Sequence, residues 1–185
     1  MKYSIDWLKQ QIEKGSTVDY LFFWGHTPKI PGVVDKSCFS QWFPSTFMVA
    51  DVHYHTAEHW MMIHKAKLFK DADALSKMLT TPKPGAVKAL GRTVKNFDKA
   101  VWDAHAYNIV VEGNCHKFLQ NEAFKTCLVN TGNKIIVEAS PSDFIWGIGL
   151  SQDSKEAMNP LTWKGTNWLG FALMEVRDEL LKKHV

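Results

Sequence analysis

Along most of the chain apolar positions recur at helical spacing, and a few short apolar runs break that rhythm. Ile5, Leu8 and Ile12 share one face of a predicted short helix over 3–14, and Gly15 stands where a helix stops. Tyr20-Leu21-Phe22-Phe23-Trp24 is short, apolar and aromatic, with Gly25, Pro28, Pro31 and Gly32 behind it, which predicts a buried strand and then a loop. Phe47-Met48-Val49 and Val52-His53-Tyr54 flank Ala50-Asp51 and predict a hairpin, although Ala-Asp is poorer turn chemistry than Asn-Gly. Thr56, with Glu58 in the first turn, caps a helix to about Phe69. Asp71 caps a second ending near Thr80, and Pro84 opens a third that ends at Gly91. Asp98 starts a long apolar-rich stretch to about Gln120, with Gly113 as a point of interruption, and another helix covers Glu122 to Val129. Ile135-Ile136-Val137, β-branched and short, is the expected central strand. Asp143 to Leu150 reads as a loop, and the last helix runs from Asn167 or Leu169 to Lys182-Lys183, whose charges suit a helix C-terminus. The sum is a helix-dominated α+β chain with a small sheet.

Composition narrows the class. The 185 residues carry no repeat, low-complexity tract or linker-like shift, so a single domain over 1–185 is expected, with a core of about 20–180 and the helix over 3–14 as an extension. Hydrophobic residues at 45% and charged residues at 22% exclude a disordered chain. No apolar run approaches a membrane span, and Asp6 interrupts the place of a secretory segment, so a cytoplasmic protein without membrane association is expected. Three cysteines without C-x-x-C spacing fit reduced thiols. A net charge of +3 with scattered lysines is no nucleic-acid footprint and permits an anionic small molecule. Eight Trp against four Tyr is the unusual count, and burial alone is a weak use for such a surplus.

Several clusters carry chemistry. His55-Thr56-Ala57-Glu58-His59 matches H-x-x-E-H, a zinc-hydrolase pattern with two His and a Glu on one helix face. With Thr56 as cap, His55 falls outside the helix, and no third ligand follows at recognisable spacing, so ordinary hydrogen bonds and no metal are expected. Glu58, before His59-Trp60, and Asp143, before Phe144-Ile145-Trp146, are the candidate acids, because a carboxylate against indole rings is partly desolvated and works as a proton donor or base near neutrality. The competing reading is plain helix-dipole and turn chemistry. Aromatics beside small or polar residues, in Phe39-Ser40-Gln41-Trp42, Trp102-Asp103, Trp146-Gly147 and Asn167-Trp168, together favour a base-binding pocket, since indole faces stack on heterocycles. Lys65 lies two helical turns beyond Glu58 on the same face, where a cation can hold a phosphate or sugar oxygen near a proton donor. Arg92 and Lys117 are further candidate cations. Phosphate-loop and dinucleotide fingerprints are missing.

Taken in order, Phe22-Phe23-Trp24-Gly25-His26, Cys38-Phe39-Ser40-Gln41-Trp42, Thr56-Ala57-Glu58-His59, Lys65-Ala66, Gly91-Arg92, Val101-Trp102, Lys117-Phe118, Val137-Glu138-Ala139-Ser140, Asp143-Phe144-Ile145-Trp146-Gly147-Ile148-Gly149 and Asn167 to Arg177 resemble the YbiA-like family, also called NADAR domains. The resemblance covers about residues 20–180. It implies a cofactor-independent N-glycosidase that hydrolyses phosphorylated ribosylamino-pyrimidine intermediates of riboflavin biosynthesis and releases ribose 5-phosphate. Relatives that remove ADP-ribose from guanine bases make nucleic acid the alternative partner, and a silent ADP-ribose or nucleotide-binding module is the non-enzymatic alternative. On the matching positions it implies catalytic roles for Glu58, Asp143, Lys65, Trp102 and Trp146. Substrate contacts are implied at Trp24, Ser40, Gln41, Trp42, Arg92, Lys117, Gly147 and Asn167. Gln41-Trp42 stands where family members carry Asn-Phe, a change in the expected pocket wall. Breaking a ribose C1′–N bond passes through an oxocarbenium-like state with a poor nitrogen leaving group, so an acid at the base and a negative group near the sugar are needed.

Overall fold

The computed structural model describes residues 1–182; the expected end of the last helix at Lys183 lies outside the described residues. The chain groups into two compact units, Met1–Ser40 with Ala123–Val185 as the first and Gln41–Glu122 as the second. Among the described residues seven α-helices and four short strands form a helix-dominated α+β architecture, and no helix is long and apolar enough to cross a membrane.

In the first unit, α1 (Ile5–Glu13) is capped by the Ser4 hydroxyl, which accepts the Trp7 N–H, and it buries Leu8 completely. Strand β1 (Tyr20–Phe23) pairs in parallel with β4 (Ile135–Glu138), Tyr20 opposite Ile135 and Phe23 opposite Glu138. The expected buried strand is corrected here: only Phe23 of β1 is buried. Trp24 lies beyond the strand and is 62% exposed, because the chain turns away at Gly25 with φ +81°. The expected central strand is also corrected. β4 has one strand neighbour, and its burial comes from α7 (Trp168–Lys182), which packs on it. The approach is close enough that a Cβ on Gly170 would lie 2.1 Å from the Ile136 carbonyl oxygen. The free edge of β4 is paired by a side chain: Asn167 Nδ2 donates to Ile136 O at 2.9 Å, and its Oδ1 accepts the Glu138 N–H at 2.9 Å. The helix α6 (Glu122–Val129) stands where the sequence places it.

The second unit is built around α2 (Ala57–Leu68). Before it, β2 (Phe47–Val49) and β3 (Val52–Tyr54) form the hairpin, and Ala50 and Asp51 both adopt left-handed backbone at φ 47° and 61°. That is the mirror-image turn a two-residue hairpin needs, made here without glycine. Caps act as expected: the hydroxyl of Thr56 accepts the His59 N–H, and the carboxylate of Asp71 accepts the Ala74 N–H at the start of α3 (Ala72–Leu79). Pro84 opens α4 (Pro84–Gly91), and Asp98 caps α5 (Lys99–Leu119). Helix α2 packs on α3, α4 and α5 and buries residues on every side, including Ala57 to Ile63 without interruption. Gly113 does not interrupt α5. A Cβ there would lie 2.4 Å from Trp60 Cδ1, so the glycine admits an indole, whose Nε1 donates to Ile109 O at 2.9 Å. A helix-interior glycine costs about 1 kcal/mol against alanine, less than the burial of an indole returns.

His59 is wholly buried. Its Nδ1 accepts the His55 N–H and its Nε2 faces Met78 O at 2.8 Å, which requires Nε2 to carry the proton and fixes the neutral tautomer. Desolvation lowers the pKa of His59, and that of His64, which stacks on Trp60. In the unfolded chain both protonate near about pH 6.5. Between that value and the lower folded value the unfolded state holds more protons, so stability falls as pH is lowered through this window and is level above it with respect to these groups. Urea unfolding from pH 7.5 down to 5 will show this decline, and His59→Gln will flatten its slope.

Candidate functional site

Glu58 stands in the first turn of α2, where the Thr56 cap and the positive helix end favour an acid, yet it is only 4% exposed. Its N–H donates to the Gln41 carbonyl at 2.9 Å, which ties the Gln41-Trp42-Phe43 segment to the start of the helix. Gln41 Nε2 donates to Asn114 Oδ1 at 3.2 Å, and Asn114 Nδ2 donates to Val110 O. One turn on from Asn114, Lys117 is completely buried, with its ammonium 5.2 Å from the Phe118 ring. Glu58, Gln41 and Asn114 are thus joined by hydrogen bonds, and Lys117 is buried one turn beyond Asn114 on α5. Lysine and glutamate are almost never buried without a specific reason. Gln41 Oε1 is buried with no hydrogen-bond partner, a condition costing on the order of 1–3 kcal/mol. Asn114 opens the Asn114-Cys115-His116-Lys117 run, a polar stretch that stands out in the sequence as a candidate, whereas its bond to Gln41, seventy-three residues earlier, could not be read there.

Lys65 occupies a different setting. Its Nζ donates to Gly91 O at 2.8 Å and lies 4.2 Å from the centre of the Phe97 ring and 5.3 Å from that of Trp102. No carboxylate is among these partners, and burial holds the ammonium below the ordinary lysine value. Lys65 and Trp102 are therefore brought together, with Arg92 following Gly91 and exposed. Trp42 rests on the first turn of α4, with the Lys88 ammonium 5.6 Å from its ring. Both ring nitrogens of His59 are taken by backbone groups, and His55 lies outside the helix, so H-x-x-E-H is not assembled on one face.

In the first unit, Asp143 organises its own loop: Oδ1 accepts the N–H groups of Ile145 at 2.9 Å and Trp146 at 2.7 Å. The segment 164–169 is bonded along 144–148, with Asn167 N–H donating to Gly147 O and Leu169 N–H to Trp146 O. Gly147 has no room for a side chain, since a Cβ would lie 2.9 Å from Glu138 O. Trp146 meets Trp168 edge to face at 5.6 Å. Asn167 is fully buried in left-handed backbone at φ 54°, with both ends of its amide on β4. Ser40 closes a single turn of 3-10 helix, Lys36–Phe39, by donating its N–H to Ser37 O. Trp24 lines a cavity of about 250 Å³ that the sequence did not reveal.

Residues 22–181 match the family model for the NADAR domain. The backbone is similar to that of the Escherichia coli protein YbiA, solved by NMR, with a TM-score of 0.72 at 20% identity over 91% of this chain and 89% of that one. The chain belongs to the NADAR family. It is 44% identical to N-glycosidase R617 of Acanthamoeba polyphaga mimivirus, over 88% of this chain and 97% of the relative. It is 31% identical to N-glycosidase Npun_R5314 of Nostoc punctiforme, over 77% and 85%. The chloroplastic riboflavin biosynthesis protein PYRR of Zea mays is 26% identical over 77% of this chain, which spans 23% of that protein.

Two substitutions separate architecture from chemistry in the first unit. Asn167→Ala removes both bonds to β4 and leaves Ile136 O and Glu138 N unpaired in the interior, a loss of about 2–4 kcal/mol. Asp143→Asn keeps an oxygen acceptor for the Ile145 and Trp146 amides and costs under about 1 kcal/mol. Denaturant midpoints of the two variants beside the wild type measure both.

Proposed function

We propose that this chain is an N-glycosidase that cleaves the C1′–N bond of a phosphorylated ribosylamino-pyrimidine and releases ribose 5-phosphate and the base. The observation that carries the reading is the buried Glu58 at the start of α2, whose main-chain N–H donates to the carbonyl of Gln41, the residue whose side chain bonds Asn114. Burial is the condition under which a carboxyl becomes an effective proton donor at neutral pH. Proton donation to a departing nitrogen contributes typically 10²- to 10⁴-fold to rate. The N-glycosidase names of the viral and cyanobacterial relatives support the bond class, and the name of the maize relative supports a riboflavin intermediate. Cytoplasmic location completes the reading, in keeping with three free thiols.

Lys65 supplies the second group. An ammonium held by a carbonyl and two aromatic faces, with its pKa lowered by burial, gives up its proton more readily than an exposed lysine, and the amine is the form in which lysine is a nucleophile. In the proposed step the amine attacks C1′, the base leaves with the proton from Glu58, and ring opening gives an imine. Water then hydrolyses the imine, returning the amine and ribose 5-phosphate. The face of Trp102, already beside a cation, suits the positive charge developing on the sugar.

Release of ribose 5-phosphate from a panel of ribosylated bases, including ADP-ribosylated guanine, tests the reaction. Turnover is expected on the ribosylamino-pyrimidine phosphate, and Glu58→Gln is expected to lower kcat by at least about 100-fold while the protein remains folded. Equal activity in both proteins removes Glu58 from the chemistry. Borohydride added during turnover is expected to trap a protein–sugar adduct seen by intact mass and missing in Lys65→Ala. Active wild type that yields no adduct returns the attack at C1′ to water.

A further inference from the structure

Two of the three free thiols meet inside the first unit. Cys38 belongs to the 3-10 turn Lys36–Phe39 and Cys127 to the last turn of α6, eighty-nine positions apart in the sequence, and the Cys38 thiol donates a hydrogen bond to the Cys127 sulfur. Their settings differ. Cys38 is completely buried, whereas Cys127 is half-buried and lines a cavity of about 430 Å³. Leu21, Val34 and Phe39 give that cavity an apolar side, and Thr126 and Asn130 give it a polar one. Lys36 is the charged residue of the lining. The hydrogen bond from Cys38 holds the Cys127 thiol below its ordinary value, against burial and the Asp35 carboxylate, which push it up. The thiolate is the form that attacks oxidants, so the sulfur a small molecule can reach is also the activated one. Metal binding is the other use of paired thiols, but among the described residues no third His, Cys, Asp or Glu joins them.

We propose that Cys127 is a site of oxidation by hydroperoxides and that Cys38 resolves the product as an intramolecular disulfide. In the first step the Cys127 thiolate attacks a peroxide oxygen. An S–O bond forms, the O–O bond breaks, and the departing hydroxide takes up a proton as water, leaving a sulfenic acid. In the second step the Cys38 sulfur attacks the Cys127 sulfur. An S–S bond forms, the S–O bond breaks, and hydroxide leaves with the Cys38 proton as a second water. Two thiols lose two electrons in all, and one hydrogen peroxide is reduced to two waters. The chain leaves the first unit after Ser40 and re-enters it at Ala123, so this bond closes the whole second unit into one covalent loop. A cross-link that closes a long loop removes the most freedom from the unfolded chain. In a reducing compartment the bond is transient and reports oxidant. The proposal does not rest on the N-glycosidase reading.

The test treats the reduced full chain with a small excess of hydrogen peroxide and counts thiols after quenching and denaturation. The count is expected to fall from three to one and to return with dithiothreitol, and peptide mapping is expected to join Cys38 to Cys127. The oxidised chain is expected to unfold at a higher urea concentration than the reduced one. Cys38→Ser keeps a donor to Cys127 and cannot form the bond, so dimedone is expected to label Cys127 there and to label little in the wild type. In Cys127→Ser both remaining thiols are expected to survive. Labelling of Cys115 or Cys38 ahead of Cys127 overturns the assignment, as does a 38–127 bond that forms only in urea. Equal dimedone labelling in the wild type and Cys38→Ser removes Cys38 as the resolving thiol. The wild-type peptide map needs no variant, and none of these readouts depends on turnover.

Discussion

The first unit depends on the side-chain amide of Asn167. A parallel pair of four-residue strands is too small to hold itself together in water, and one edge of β4 faces no strand. Asn167 completes that edge by presenting a donor and an acceptor at the spacing a neighbouring strand would use, to Ile136 O and Glu138 N. The constraint spreads from there. To reach both groups the residue takes left-handed backbone, which asparagine tolerates better than most residues, and it brings α7 so close that position 170 admits only glycine. The same residue's N–H donates to Gly147 O, so the loop shaped by Asp143 is hung from β4 through Asn167.

The second unit solves the same problem with the same chemistry. The hairpin β2–β3 also has an open edge, and Gln120, the residue that ends α5, places its amide against both the N–H and the C=O of Met48. A side-chain amide that imitates a strand is a weak substitute for a sheet, worth about 0.5–1.5 kcal/mol per bond. Its value lies in position, because each amide belongs to a helix terminus and so fixes a helix to a sheet at one register. Helix α2 then needs no amphipathic face. It is enclosed by α3, α4, α5 and β3, and polar residues on it, Glu58 and His59 among them, are carried into the interior by the packing of their neighbours.

Local chemistry was legible in the sequence and non-local pairing was not. Thr56, Asp71, Pro84 and Asp98 mark helix starts because a cap is decided by the residue and its next three neighbours. Gly113 reads as an interruption from its own residue type, and only the position of Trp60, fifty-three residues earlier, explains why the helix continues. Asn167 reads as a polar neighbour of an aromatic, and its edge-pairing role depends on a strand thirty residues before it. Trp24 reads as the end of an apolar run and stands in solvent because β1 has ended. In the candidate site, Glu58 was visible from the cap and from the family block, whereas the surroundings of Lys65 were not. Its partners Gly91, Phe97 and Trp102 come from α4, α5 and the segment between them.

Gln41 shows how one position can serve two purposes in the second unit. Its amide is only half satisfied: Nε2 donates to Asn114 Oδ1, while Oε1 is buried without a hydrogen-bond partner, a condition costing on the order of 1–3 kcal/mol in a fold whose whole margin is about 5–15 kcal/mol. A hydrocarbon of similar shape at position 41 would remove that cost and would also remove the bond that ties the segment to α5. Gln41 therefore holds the Gln41-Trp42-Phe43 segment to two helices at once, its main-chain carbonyl to the first turn of α2 and its side chain to α5, and the Cys38 to Trp42 block, first notable for its aromatics, matters as much for this tie as for its rings.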